Sequence, residues 1–387
     1  MPARRVSDRL LVWGSTIEDS TLEQAERTAR VPVVAGHVAL MPDAHIGIGA
    51  TIGSVIPTDR AIIPSAVGVD IGCGMVAVRT DVRVDQLPDS LSPLLARIAR
   101  VVPAGVGQGH ARATRAAEDW LQRNPPPRAL TDKQIKVTRT QFGTLGSGNH
   151  FFEICSSSRD EVWLVLHSGS RGIGNQLATE HIREAKKDMA ERLVSLEDPD
   201  LSYLVEGTEA FERYVADMRW AQRYAMANRA QMMDAAVGAL TRFLGTGREV
   251  ERINCHHNFA QQETHGGRTV WITRKGAIRA GAGELGIVPG SMGSPTYIVR
   301  GLGNPASYAS CAHGAGRRLS RRQARKTIAL EDLHRVMAGK VWNAERARLL
   351  IDESPAAYKD IEQVMADQED LVEVVETLTQ LLNYKGQ

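Results

Sequence analysis

Thiols are scarce in this 387-residue chain: Cys73, Cys155, Cys255 and Cys311 are all there are. None is in Cys-x-x-Cys spacing, which argues against a disulfide scaffold and makes a reducing cytoplasm the expected setting. Excess charge is also missing. The 47 basic residues nearly cancel the 45 acidic ones, which excludes a bulk polycation for non-specific nucleic-acid binding and leaves room only for a local basic patch. No apolar run approaches the length of a membrane-spanning helix. The start, Met1-Pro2-Ala3-Arg4-Arg5, leads into polar sequence without an apolar core, so no secretory signal is expected. Repeats, low-complexity tracts and obvious linkers are lacking as well, and a chain of this length has ample material for a core.

What the chain has is a mixture of helical and extended patterns, which by itself gives mixed α and β with a late helical region. Val31–Met41, Thr51–Pro57 and Met75–Thr80 read as short strands broken by Gly and Pro. Residues 90–124 read as helical until Pro125-Pro126-Pro127 stops them. The apolar run Val162-Trp163-Leu164-Val165-Leu166 fits a buried strand delivering His167 at its end. Residues 174–196 and 207–244 are strongly helical, 250–312 return to short strands, and 330–339, 343–351 and 360–382 are expected to be helical.

Five glycine-rich segments carry the chemistry: Asp70–Gly74, Asn149–Glu153, His167–Gly172, Asn254–Asn258 and His313–Arg317. A thiolate at Cys73 could bridge two metal ions with Asp70 holding one of them, although the pair also fits a packed thiol beside a turn cap. The loop Gly143–His150 could bring backbone N–H groups to an anion, but lacks the Gly-Lys-Ser/Thr of a P-loop. His256 and His257 would point to opposite faces of a strand, so only one joins a common centre easily. His313 opens His-Gly-Ala-Gly-Arg-Arg, and Arg317, Arg318, Arg321, Arg322, Arg325 and Lys326 follow it. That run is either a solvated helix face or a phosphate-binding flank. Because these residues run from 70 to 313, the pattern favours one compact catalytic unit.

The segments Met41–Gly47, Val67–Met75, Gly143–Glu153, His167–Gly172, Asn254–Asn258, Pro289–Gly293 and His313–Arg317, in this order, resemble the RtcB family of RNA ligases. The resemblance implies a single catalytic domain of α+β fold over 1–387: mixed β-sheets around a deep cleft, flanking helices and a helical insertion at about 174–245, usually monomeric. It further implies joining of RNA 3′-phosphate or 2′,3′-cyclic phosphate ends to 5′-hydroxyl ends with GTP and two Mn²⁺ ions, in RNA repair or tRNA splicing. By the same resemblance His313 is the guanylylated nucleophile, and Asp70, Cys73, His150, His167 and His257 are the metal ligands, with Cys73 bridging. Asn149 and Asn258 would contact phosphate. Glu153, Ser291, Tyr358 and Lys385 would surround guanine, and Gly314, Ala315 and Gly316 would line the nucleotide. Arg171 and Arg321 would contact RNA. Thr296 stands where a serine is expected against the base, and archease is a possible partner. The competing readings are a two-metal phosphoesterase without a covalent intermediate and a non-catalytic RNA-binding relative.

Overall fold

The computed structural model describes residues 3–386, so Met1, Pro2 and Gln387, with part of the N-terminal segment read above, lie outside the described residues. Two sheets dominate. The larger has seven antiparallel strands in the order Glu249–His256, Gly74–Arg83, Glu161–Ser168, Phe151–Ser157, Val372–Lys385, Thr296–Gly301 and Leu285–Pro289. The smaller has six, in the order Arg4–Ser7, Leu10–Val12, Val38–His45, Ile52–Thr58, Arg268–Lys275 and Asn258–His265. Mixed helices and sheets make this the expected α+β class.

Strand register explains why the chemistry collects at one end of the large sheet. His167 lies opposite both Met75 and Phe151, and Gly74 lies opposite both Ser168 and His256. Cys73 therefore enters one strand, His150 enters another, and His167 and His257 sit at or just past the ends of two more. Gly74 is required at this junction, because a Cβ there would lie 2.0 Å from the Cys255 carbonyl oxygen.

The stretch 174–245 forms two helices, Arg171–Glu191 and Glu209–Leu244. The second packs Phe211 against Trp271 of the small sheet, while Met232, Met233, Ala236 and Leu240 cover Val76, Leu164 and Leu166 of the large one. It starts on a Thr208 cap and stops at Gly245, whose φ of 74° suits glycine. Among the described residues no helix is long and apolar enough to cross a membrane.

The C-terminal expectation needs correction. Of residues 360–382, only Ile361–Ala366 is helical, and Val372–Lys385 is instead a long interior strand of the large sheet. Its valines and threonines favour extended backbone, and pairing on both edges with Phe151–Ser157 and Thr296–Gly301 overrides the Leu and Glu spacing that read as helix. The helix Asp132–Gln141 was not anticipated, although its Thr131 and Gln134 form a capping box legible in the sequence.

One side chain ties the long helix to the site. Arg229 is fully buried, and its guanidinium donates to the carbonyls of Gly72 at 2.8 Å and Ser168 at 3.0 Å and to Asn254 Oδ1 at 2.9 Å. Burial pushes its pKa down to about 10, so it stays charged at neutral pH. Arg229→Met should remove the shared donor from the Gly72 and Ser168 carbonyls and Asn254 Oδ1 and destabilise the metal-free protein by about 3 kcal/mol, read as a lowered urea midpoint, with Arg229→Lys recovering part of it. An unchanged midpoint for Arg229→Met would show that the clamp contributes nothing to stability.

Candidate active site and metal centre

Cys73 Sγ lies 3.2 Å from His167 Nε2 and 3.5 Å from His150 Nε2, all three buried. Their ligand atoms lie within 4.8 Å of one another. His257 Nε2 is 2.9 Å from His167 Nε2, and an Asp70 carboxylate oxygen is 3.2 Å from His150 Nε2. The far side of each ring fixes its tautomer. His150 Nδ1 donates to the Leu145 carbonyl at 2.9 Å and His167 Nδ1 to the Asn149 carbonyl at 3.1 Å. His257 Nδ1 faces Asn258 Oδ1 at 3.4 Å, an oxygen that also accepts from the Gly276 N–H.

Each Nε2 therefore presents a lone pair toward the others, toward sulfur and toward a carboxylate. Such a set is self-repelling unless a cation or protons sit among the atoms; the imidazoles disfavour protons, and without a cation only the thiol holds one. Burial pushes the pKa values of His167 and His257 well down, and neighbouring imidazoles push them further. Burial, then the Asp70 charge, raises the Cys73 thiol. Burial would raise Asp70 too, but its contacts with His150 and then Cys73 hold it below its ordinary value, so the carboxylate is an anion among these groups. The residues fit a transition-metal ion with mixed S, N and O donors, each His held by an outer partner. This brings together all five expected ligands.

His313 stands beside this cluster, its ring 4.8 Å from that of His257. Both its Nδ1 and its backbone N–H donate to one oxygen of the buried Asp43, at 2.6 and 3.1 Å. That leaves Nε2 with a free lone pair, the arrangement a nucleophilic imidazole needs. Asp43 carried no assigned role in the sequence, although it lies in the recognised segment Met41–Gly47. Gly316, at φ 71°, is required beneath it, because a Cβ would lie 2.0 Å from the Asp43 carbonyl oxygen.

The His313 and metal groups open on a cavity of about 660 Å³. Asn149, Ser291, Gly314, Ala315 and Gly316 line it, as do Glu153, Thr296, Tyr358, Lys385 and Arg321. Cys73 and His150 sit behind this wall. Thr296 Oγ1 is buried without a partner and Glu153 accepts from Asn383 at 2.7 Å, so one wall offers unsatisfied polar capacity to a ligand. Glu353, which sequence reasoning missed, accepts from Lys385 at 2.7 Å, Tyr358 at 2.9 Å, Arg317 at 2.6 Å and Arg321 at 2.9 Å. Asp352 takes Arg321 and Arg325. Much of the basic run after His313 is thus internally paired rather than freely solvated.

Two expectations sit differently. Asn258 lines the cavity, but its amide is engaged by Gly276 and the Asp70 carbonyl. Arg171 is not on the cavity wall, and donates to Thr144 Oγ1 at 3.1 Å beneath the glycine loop.

Burial raises the Glu153 pKa to about 8 despite Lys385 and Asn383, so the folded protein keeps a proton that the unfolded chain loses above about 4.5. The folded state binds more protons across that window, and stability falls as pH rises through it. Glu153→Gln should therefore gain in Tm over the parent chain between pH 5 and pH 8, measured by thermal melts on metal-free protein. A constant difference across that range would contradict the shifted carboxyl.

Fold and site together define an α+β protein with a buried thiol–imidazole cluster able to hold a metal ion and a separate, carboxylate-held histidine in one cavity. The family model described as tRNA-splicing ligase RtcB matches residues 24–386. The RNA-splicing ligase RtcB of Escherichia coli strain K12 is 46% identical over 392 residues, covering 96% of each chain. That of Mycobacterium tuberculosis strain H37Rv is 30% identical, over 94% of this chain and 100% of its own. The tRNA-splicing ligase RtcB of Nanoarchaeum equitans is 30% identical, over 90% of this chain and 87% of its own. The chain belongs to the RtcB family.

Proposed function

We propose that this protein is an RNA ligase of RNA repair or tRNA splicing. It joins 3′-phosphate or 2′,3′-cyclic phosphate ends to 5′-hydroxyl ends, with GTP as co-substrate and Mn²⁺ as the metal. The observation that carries the reading is His313, fixed by Asp43 with Nε2 free, at the edge of a metal-ligand cluster. In the first step Nε2 attacks the α-phosphorus of GTP, an N–P bond forms and pyrophosphate leaves. Asp43 keeps the proton on Nδ1 and offsets the positive charge developing on the ring. The GMP then passes to the RNA 3′-phosphate, which frees the imidazole. The 5′-hydroxyl attacks that activated phosphate, and GMP departs. Mn²⁺ ions held by Asp70, Cys73, His150, His167 and His257, with Cys73 shared, would withdraw charge from the phosphate oxygens.

Glu153 would accept from the guanine N–H groups once ionised, a pairing that adenine cannot offer, which favours GTP over ATP. The unpartnered Thr296 hydroxyl, Ser291, Tyr358 and Lys385 lie on the same wall. Asn149 and Asn258 border the phosphate region, and Arg321 faces the cavity where RNA would enter. Arg171 would act from behind the glycine loop. The reading includes a monomeric, cytoplasmic enzyme, with archease as an activating partner.

Incubation with α-³²P-GTP and Mn²⁺ should leave acid-labile, alkali-stable label on the protein, and none on His313→Ala. Absence of label on the wild type would favour a phosphoesterase without a covalent step. Asp43→Asn, which cannot hold the same tautomer, should label about a hundredfold more slowly. Cys73→Ala should lose both bound metal and label while its circular dichroism stays that of a folded protein. Full activity in that variant would remove Cys73 from the metal centre.

A further inference from the structure

The cavity has a second wall of different character. Beyond Asp43 the chain continues as Ala44-His45-Ile46-Gly47-Ile48-Gly49, and Ile46, Ile48 and Val69 border the cavity with 53%, 68% and 37% of their surfaces exposed. Large aliphatic side chains at such exposure normally fold back if the backbone lets them. Here it does not. Buried Gln24 donates from Nε2 to the Gly47 carbonyl at 2.6 Å and the Gly49 carbonyl at 2.8 Å, and its Oε1 accepts from the Gly47 N–H at 3.0 Å. Buried Lys275 donates to the Ile48 carbonyl at 2.6 Å and to that of Ser65 at 2.9 Å. Two buried polar side chains are thus spent on holding this loop, and apart from the His45 imidazole the side chains it presents to the cavity are apolar.

We propose that this shelf of Ile46, Ile48 and Val69 is the seat of the terminal nucleoside of an RNA strand, a subsite that rests on the RNA-ligase reading above. Three observations select that occupant. The shelf is continuous with the reacting groups: Val69 precedes Asp70, and Ile46 lies three residues beyond Asp43. A base lying on it would place its own phosphate toward Asp70 and His313. The opposite wall already carries the groups suited to reading a base edge, Glu153 and the Thr296 hydroxyl. The shelf offers no side-chain donor or acceptor, only area for the flat face of a base or a ribose. Apolar contact of that kind accepts every base, which suits an enzyme that joins ends of differing sequence.

Ile46→Ala/Ile48→Ala, at exposed positions, tests the shelf on the full chain. His313 labelling by GTP should match that of the wild type. KM for a 3′-phosphate RNA should rise about tenfold with little change in kcat. An RNA whose terminal nucleotide is abasic should show the same rise on the wild-type protein and no additional rise on the variant. Supplying the abasic site on the 3′-phosphate strand, or on the 5′-hydroxyl strand joined to a pre-activated end, tells which strand sits there. An unchanged KM, or an abasic penalty of full size in the variant, overturns the shelf. So does a variant that loses only its response to added archease, which would make this wall a protein-docking face. If the wild type takes no label from GTP, it is the ligase reading that fails, and RNA binding by the two proteins still reports on the shelf.

Discussion

The Arg229 guanidinium is the contact on which the site depends. It lies at the middle of the long helix, and its partners are the carbonyls just before Cys73 and just after His167 and the side chain of Asn254, three residues before His257. A single cation thus fixes three segments that supply metal ligands. Those segments come from different strands, and their glycines would otherwise leave the backbone free to drift. Burying a charge without a carboxylate in direct contact is costly. The cost is offset by aligned carbonyl dipoles and by the negative charge of nearby Asp70.

Around that anchor the cavity divides its work by chemistry. The Cys73 side gathers imidazole lone pairs around one anionic carboxylate, so its electrostatics suit a cation. The His313 side gives one imidazole a single orientation through two hydrogen bonds to one Asp43 oxygen. The wall bearing Glu153 and Glu353 is dense in buried ionisable groups, and its Arg317, Arg321, Tyr358 and Lys385 are held in place by a carboxylate before any ligand arrives. Prior ordering of this sort lowers the entropy lost on binding. The isoleucine wall is ordered as firmly, but through backbone contacts, and it offers area in place of polarity.

Much of this was legible from residue order, and the gaps follow a pattern. Buried strands with continuous apolar runs, such as the one ending at His167, were readable because burial on both faces leaves a signature. The helices at 171–191 and 209–244 were readable from length and periodicity. The last strand was misread because a sequence of Val, Thr, Leu and Glu satisfies both periods, and only sheet partners on both sides decide between them. Arg229, Glu353 and the task of Asp43 were not readable. A lone arginine in a helix, an acid 32 or 36 residues from its basic partners and another 270 residues from its histidine leave no local mark.

By itself the sequence determined which chemistries were available: a thiol, a carboxylate, spaced imidazoles and glycines around them, in an order matching the RtcB family. It also separated His256 from His257, because neighbouring positions on a strand face opposite ways. Only the tertiary structure decided which of these groups meet. The antiparallel register sets four strand ends side by side, and close approach there depends on the absence of a Cβ at Gly74. The tautomers of His167 and His313 were likewise a tertiary matter, since those rings are oriented by the Asn149 carbonyl and the Asp43 carboxylate, whereas His150 and His257 find partners in their own segments at Leu145 and Asn258. Residue types are written in the chain, whereas the lone-pair directions of His167 and His313 arise only when segments far from them in sequence supply the opposing hydrogen bond.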